Sequence, residues 1–154
     1  MPDLTWIIFD LTRLLPLMAV LVYAAKQDIQ KGEVTNKIWL YTPIGFALML
    51  TEYILFSPTL LLYAFLSIAI CIGATFAIHT FTKHGWGGAD TKALLTITLT
   101  YPLGPIYSMY LPLYPILTLW IALAIAFFYM LLRKQKQTRF IPFITIAFAL
   151  ISIL

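Results

Sequence analysis

The chain has 154 residues, of which 62% are hydrophobic and only 10% are charged, with a formal net charge of +4. Soluble domains are about 45–50% apolar and about 25% charged, so this composition excludes an ordinary soluble domain and indicates an integral membrane protein. The basic residues form no patch with interleaved aromatic residues, so nucleic acid is not expected as a partner. The single cysteine, Cys71, allows neither an intramolecular disulfide nor a cysteine-based metal site.

Six apolar segments follow one another along the chain, five of them near the ~20 residues that a helix needs to cross a hydrocarbon core and the sixth shorter. In chain order they run from about Leu4 to Ala25, Ile38 to Phe56, Thr59 to Thr80, Thr91 to Tyr110, Leu113 to Leu132 and Phe140 to Leu154. Ser57 and Pro58 predict a tight turn between the second and third segments, and Pro102 and Pro105 interrupt the fourth.

The start of the chain lacks the basic region and the cleavage site of a signal peptide, so we read it as part of the first retained helix. No linker or soluble domain is apparent. The predicted fold class is therefore an all-α polytopic membrane protein, with six transmembrane helices, in which residues 1–154 form a single membrane-embedded domain.

The basic residues indicate how these helices are oriented, because nine of the 10 Lys and Arg residues fall in alternate connections. They are Lys26, Lys31 and Lys37 after the first segment, Lys83 and Lys92 after the third, and Arg133, Lys134, Lys136 and Arg139 after the fifth. The positive-inside rule places these connections in the cytoplasm and both termini outside. The chain is thus predicted to be a multi-pass protein of the cell membrane.

Three charged residues near the outer side are given structural roles. Asp10 and Arg13 lie three positions apart on one helical face, so we expect them to pair. Glu52 lies near the outer end of the second segment, where it is expected to reach water.

The polar segment Lys83 to Lys92, KHGWGGADTK, interrupts the apolar pattern between the third and fourth spans. On this topology three acids face the cytoplasm: Asp90 in this segment, and Asp28 and Glu33 after the first span. Asp28 and Asp90 lie at the ends of different helices and could meet across the bundle. Because two like charges close together cannot both ionise, such a pair can share one proton; the ionised carboxyl then activates a water while the protonated one polarises the scissile carbonyl. This is the chemistry of aspartic proteolysis, which needs neither a metal nor a cofactor.

Structural roles are the alternative for both aspartates, and spacing alone leaves the question open. Asp28 fits a solvated acid among lysines, and Asp90 fits an N-cap for a helix that begins at Thr91. From Asp90 to Pro102 a straight helix spans only ~18 Å. We therefore expect Asp90 to lie partly below the membrane surface, which would raise its pKa, and the helix to bend and continue past Pro102.

The residues around this segment also have two interpretations each. Gly87 and Gly88 favour a close approach of the backbone to an extended peptide, or they form a flexible connector. Lys92 either keeps the neighbouring carboxyl ionised or extends toward lipid phosphates. His79 and His84 are interpreted as structural or solvated, because two lone histidines are weak evidence for a metal site.

Three segments together resemble the GxGD membrane aspartic proteases, and among them the type IV prepilin peptidases. Residues 87–92, GGADTK, are similar to the GxGDxK motif, with Ala89 in place of its second glycine. Asp28 and the following VTNKIW at 34–39 resemble the other aspartate segment, and RFIPF at 139–143 resembles the opening of the final helix. The GGAD sequence followed by a lysine resembles the archaeal branch, which includes the preflagellin (prearchaellin) peptidases.

The resemblance implies an endopeptidase that removes a short, basic leader from prepilin-like or archaellin-like precursors at the cytoplasmic face. It assigns the catalytic roles to Asp28 and Asp90 and implies no cofactor or metal. The further motif residues of the site are Gly87, Gly88, Ala89 and Lys92. The expected partners are the precursor proteins and the lipid bilayer. Bacterial members often carry an added cytoplasmic region with paired cysteines and methyltransferase activity, and the length and single cysteine of this chain predict protease activity alone.

Two alternatives belong to other classes of protein. A non-enzymatic membrane subunit or small transporter would be expected to carry acids or broken helices near mid-membrane, where only Asp10 and Arg13 are candidates. A protease that cuts within the membrane, like the presenilins or signal peptide peptidases, is disfavoured by the count of six spans and by aspartates at the cytoplasmic loops.

Overall fold

The computed structural model describes residues 4–81, 87–104, 113–133 and 139–153. Every regular element in these residues is helical, which confirms the predicted all-α class. In chain order they are α1 Leu4–Lys31, a 3-10 helix Asn36–Leu40, α2 Tyr41–Phe56, α3 Pro58–Phe81, α4 Gly88–Thr100, α5 Tyr114–Arg133 and α6 Ile141–Ile153. The turn predicted at Ser57 is confirmed, because this single non-helical residue separates α2 from α3.

Four described segments are long and apolar enough to cross a membrane, and they make the chain a membrane protein. They are Leu4–Lys31, Asn36–Phe56, Pro58–Thr80 and Tyr114–Arg133. The helices α4 and α6 have 13 residues each, or ~20 Å of helix, which is less than the ~30 Å thickness of a hydrocarbon core. Six complete crossings and the orientation of the termini therefore stay predictions.

The end of α4 differs from the sequence-based expectation. The helix ends at Thr100, and Tyr101 already has φ −132° and ψ 67°, so the predicted continuation of the helix through Pro102 is wrong. The physical reason is steric, since a proline ring disfavours the α conformation in the residue before it. The rest of the predicted fourth span, residues 105–110, lies outside the described residues.

Helix α4 lies at the centre of the bundle and contacts each of the other five α-helices. Eight of its 13 residues are buried, although the helix is rich in threonine. Two of its four threonine hydroxyls are hydrogen-bonded inside the bundle: Thr96 Oγ1, for example, bonds the Lys92 carbonyl at 2.8 Å and Thr42 Oγ1 at 2.7 Å. The hydroxyls of Thr98 and Thr100 are buried without a hydrogen-bond partner among the described residues. A central helix of this kind carries its first turn, with Asp90, into contact with the ends of its neighbours.

A buried ionic cluster joins α1, α2 and the end of α4. The predicted pairing of Asp10 with Arg13 is confirmed at 3.0 Å, and Arg13 Nη1 also donates to the Thr100 carbonyl at 2.9 Å. The expectation that Glu52 reaches water is wrong, because its side chain is 1% exposed and its Oε2 lies 3.1 Å from Arg13. The guanidinium also stacks over the Tyr101 ring at 4.1 Å. Glu52 turns inward because Arg13 lies there, and a buried carboxylate is costly without a cation as its partner.

Candidate active site

Asp28 lies in the last turn of α1 and not in a loop, because the helix continues six residues beyond the apolar segment predicted to end at Ala25. At 28 residues α1 is ~42 Å long, so this polar last turn extends beyond a ~30 Å hydrocarbon core. The helix is closed by Gly32, which has φ +73° and donates its N–H to the Asp28 carbonyl at 3.0 Å. A left-handed residue at this position is a common helix terminus, and glycine adopts it without strain.

Asp90 lies in the first turn of α4, as its third residue. The helix begins at Gly88 and not at Thr91, so the N-cap is Gly87 and the predicted capping position of Asp90 is wrong. Asp90 still satisfies the helix terminus, since its Oδ2 accepts the N–H of Gly87 at 3.0 Å. The side chain is nevertheless buried, with 9% of its surface exposed. Asp90 is therefore buried within the bundle, and its expected depth below the membrane surface stays a prediction.

The two aspartates, 62 positions apart, line the same cavity of about 400 Å³. The other lining residues come from the end of α1 and its following loop, the start of α4 and the start of α6: Gly32, Glu33, Val34, Gly87, Gly88, Ala89, Arg139 and Phe140. Asp28 Oδ2 is buried and has no hydrogen-bond partner among the described residues. The cavity therefore holds two carboxyls, one of which has a free acceptor, next to exposed backbone of the GGAD segment.

The two carboxyls have different electrostatic surroundings in the cavity. Burial raises the pKa of Asp90 to about 6; the hydrogen bond from Gly87 opposes this shift, and the charge of Asp28 adds to it. Burial also raises the pKa of Asp28, but the nearby Arg139 guanidinium lowers it. The two carboxyls therefore differ in their surroundings: Asp28 is more exposed and has a cation beside it, whereas Asp90 is almost fully buried and lies near the charge of Asp28.

The motif residues next to Asp90 have distinct surroundings. Gly87 has φ −78°, so no left-handed backbone requires a glycine; instead, a Cβ there would lie 3.2 Å from Asp90 Oδ2. A Cβ on Gly88 would meet no atom within 4 Å. Ala89 is the second residue of α4 and packs against the main core cluster. Its helical backbone accepts alanine, which explains physically how this chain departs from the second glycine of the motif.

Lys92 and His79 contact polar groups beside the cavity. Lys92 Nζ donates to Asn36 Oδ1 at 2.5 Å and so links α4 to the 3-10 helix. Lys92 is not among the groups that shift the pKa of Asp90, and its expected contact with lipid phosphates stays a prediction. His79 Nδ1 lies 3.2 Å from Thr91 Oγ1. Within the described ranges no group of three or more His, Cys, Asp and Glu residues could hold a metal ion. His84 lies outside the described residues.

Arg139 is a site residue that the sequence indicated only as a topology marker and as part of the RFIPF segment. In the structure its Nη1 donates to the backbone carbonyls of Asp28 and Ile29. Glu33 also lines the cavity, and it had been noted only as a cytoplasmic acid. The one sequence signal for Arg139 is its place at the start of the family-like RFIPF segment, and its contact with a residue 111 positions away cannot be derived from spacing.

Comparison with known proteins gives a match to the family model described as the type IV leader peptidase family, over residues 15–153. This range spans 139 of the 154 residues and includes both aspartates. The chain belongs to the type IV leader peptidase family. No curated protein and no solved structure gave a significant match. As a leader peptidase the chain is a protease whose substrates are, in general terms, prepilin-type proteins, and this confirms the resemblance seen in its motifs.

Proposed function

We propose that this leader peptidase is a membrane aspartic endopeptidase in which Asp28 and Asp90 form the catalytic pair. The observation that carries the proposal is the shared cavity: two carboxyls from opposite parts of the sequence line one space of about 400 Å³ with different ionisation properties. Membership of the family supports the reaction class. In the described part of the chain the cavity has no other pair of carboxyls on helix termini.

The proposed mechanism uses Asp28 as the general base and Asp90 as the general acid. Ionised Asp28 takes a proton from a water, whose oxygen attacks the scissile carbonyl carbon, while protonated Asp90 donates its proton to the carbonyl oxygen. The tetrahedral intermediate then breaks its C–N bond; the amine leaves with the proton held by Asp28, and Asp90 recovers its own from the hydroxyl. Gly87 and Gly88 leave backbone accessible along one wall, where an extended peptide can bind closely.

The proposed orientation follows from the positions of the basic residues. The chain crosses the membrane six times, both termini lie outside, and the cavity opens to the cytoplasm. The substrates are then prepilin-like or archaellin-like precursors, cut between a short basic leader and the apolar helix that follows it. Such a helix approaches laterally through lipid, so a site at the membrane surface fits better than one at mid-depth. The GGAD sequence supports a substrate of the archaeal, archaellin-like kind.

The alternative of a non-enzymatic membrane subunit or small transporter has less support. Its expected signature was acids near mid-membrane, and the buried acids Asp10 and Glu52 do lie inside the bundle. Both are paired with Arg13, however, and the same network bonds the end of α4. A structural role accounts for these contacts, and the family match assigns the chain to the peptidases.

Incubation of the purified protein with candidate precursors, followed by mass determination of the products, tests the proposed function. We expect one cut, before the apolar helix of a prepilin-like or archaellin-like precursor, and no dependence on added metal. A cut inside the apolar helix would support an intramembrane protease instead. No cleavage of any precursor in a preparation that is folded and embedded in lipid would contradict the proposal.

A further inference from the structure

Arg139 is the one positively charged side chain in the described lining of the candidate active-site cavity. It stands directly before α6, yet its Nη1 donates to the carbonyls of Asp28 and Ile29 at the end of α1. The last four carbonyls of a helix lack partners within the helix, and a cation near them is favoured by the helix dipole. Arg139 therefore stabilises the turn of α1 that carries one of the two proposed catalytic carboxyls.

The end of α1 is shaped to receive this guanidinium. The Asp28 carbonyl accepts two donors, the N–H of Gly32 at 3.0 Å and Nη1 of Arg139. A Cβ on Gly32 would lie 3.5 Å from Arg139 Nη2, so the guanidinium packs directly over the left-handed glycine. The planar guanidinium thus connects the start of α6 to the end of α1, two helices that are adjacent in space and distant in sequence.

We propose that Arg139 is a positioning residue, which holds the Asp28 carboxyl in the cavity by fixing the last turn of α1 to the start of α6. This inference rests on the proposed function, because it assigns Arg139 a part in the same site. Arg139 acts through Asp28 and not on the peptide, so its removal changes where Asp28 lies and how easily it ionises.

The charges around Asp28 set the direction of that change. Three charged side chains share the cavity with it: Glu33 in the loop after α1, Asp90 on α4 and Arg139 before α6. Lys26 and Lys31, on α1 itself, do not line the cavity. Burial opposes the ionisation of Asp28, and the charge of Arg139 favours it. Without this cation the pKa of Asp28 rises. As the pH falls, Asp28 is then protonated, and can no longer act as a base, at a higher pH than in the wild type.

The test is a titration of Asp28 in the protein labelled with ¹³C at the aspartate carboxyls, in lipid nanodiscs. The chain has four aspartates, which keeps the spectrum simple: Asp3, Asp10, Asp28 and Asp90. In Arg139→Gln we expect the midpoint of the Asp28 signal to rise by roughly 0.5–1 pH unit, since the guanidinium is partly exposed. The midpoint of the acid limb of the pH profile of kcat/KM should move to higher pH by the same amount. An Asp28 midpoint equal to that of the wild type would overturn the proposal.

Two further variants separate positioning from a general loss of structure or charge. Arg139→Lys keeps the charge but loses the planar fork, so its midpoint should stay within ~0.3 pH unit of the wild type while kcat falls several-fold. A wild-type kcat in this variant would contradict a positioning role, including in the case that Arg139→Gln does not fold.

Arg133→Gln is the matched control, since Arg133 is exposed at the end of α5 and does not line the cavity. An equal shift in this control would overturn the assignment to Arg139.

The outcomes distinguish this inference from the proposed function. If the wild type cleaves no precursor, the proposed function fails, whereas the titration still reports whether Arg139 controls Asp28. If the wild type cleaves and Arg139→Gln both titrates and cleaves like it at every pH, the positioning role alone is wrong.

Discussion

Asp28 and Asp90 lie in one cavity but in unlike surroundings. Asp90 is almost fully buried, with one hydrogen bond from the N-cap of its helix, whereas Asp28 is partly exposed, with a cation beside it. A pair of carboxyls works as acid and base when its environments push the two pKa values apart. In the proposed mechanism, the side chains around each aspartate therefore decide which one acts as the acid and which as the base.

The pH dependence of cleavage follows from the raised pKa of Asp90. If Asp90 must be protonated, kcat/KM falls as the pH rises through about 6, by roughly tenfold for each pH unit once Asp90 is mostly ionised. The measurement is kcat/KM between pH 5 and 8 in lipid. The Glu33→Gln control should show the same fall of kcat/KM with rising pH, since Glu33 is not among the groups that shift the pKa of Asp90. A kcat/KM that is constant across this range would exclude Asp90 as the general acid.

The two glycines of the motif should respond differently to the same substitution. In Gly87→Ala the new methyl lies 3.2 Å from Asp90 Oδ2, so the carboxyl must shift, and we expect kcat to fall by roughly tenfold or more. In Gly88→Ala the methyl meets nothing within 4 Å. Its kcat should stay within roughly threefold of the wild type, with a small gain in helix stability of up to about 1 kcal/mol. Single-turnover kinetics and thermal unfolding of both variants check this; equal kcat values would show that the contact with Asp90 has no importance.

Among the elements, α4 connects the two ends of the molecule. Its first turn carries Asp90 into the cavity, and its last carbonyl, on Thr100, accepts Arg13 of the ionic cluster. Tyr101, directly after the helix, donates its hydroxyl to the Asp10 carbonyl at 2.8 Å. A short helix that is fixed at its far end by charge-assisted bonds holds its near end in a defined position. The cluster thus contributes to the site through the placement of α4.

Removal of Arg13 should destabilise the protein strongly. Arg13→Met leaves the buried carboxylates of Asp10 and Glu52 without their cation, and the loss of one partner of a buried pair costs about 3–5 kcal/mol. The triple variant Asp10→Asn, Arg13→Met, Glu52→Gln should recover much of this loss, because it removes the unpaired charges. Thermal unfolding in nanodiscs measures both. If Arg13→Met unfolds at the wild-type temperature, the cluster does not contribute to stability.

At the scale of the whole molecule, local sequence patterns predicted where the helices lie, apart from both ends of α4, and they made a meeting of the two aspartates possible. Apolar length predicted the helical segments, and alternating basic loops placed Asp28 and Asp90 on one side, as their shared cavity requires. Burial across helices was not predictable. Glu52 turns inward because Arg13, 39 positions away, lies there. The contact of Arg139 with Asp28 likewise depends on how α1 packs against α6.

The orientation in the membrane is predicted from the charges of the loops, and the structure of the folded chain alone does not test that prediction. The four long apolar helices require a membrane, but α4 and α6 are short, so the number of complete crossings depends on how the bilayer adapts to them. The start of α4 could not be placed from sequence, since a glycine run permits a helix to begin at several residues. That shift of three residues, from Thr91 to Gly88, decides whether Asp90 is the N-cap or the third residue of the helix.

The most direct test of the central claim is cleavage of a prepilin-like or archaellin-like precursor by Asp28→Asn and Asp90→Asn, with Glu33→Gln as the carboxylate control from the same cavity. Each aspartate variant should fold, as judged by its thermal unfolding, and lose cleavage by at least ~10³-fold, because the proton can no longer be shared. Glu33→Gln should keep kcat within a few-fold of the wild type. Wild-type cleavage by either folded aspartate variant would contradict the account.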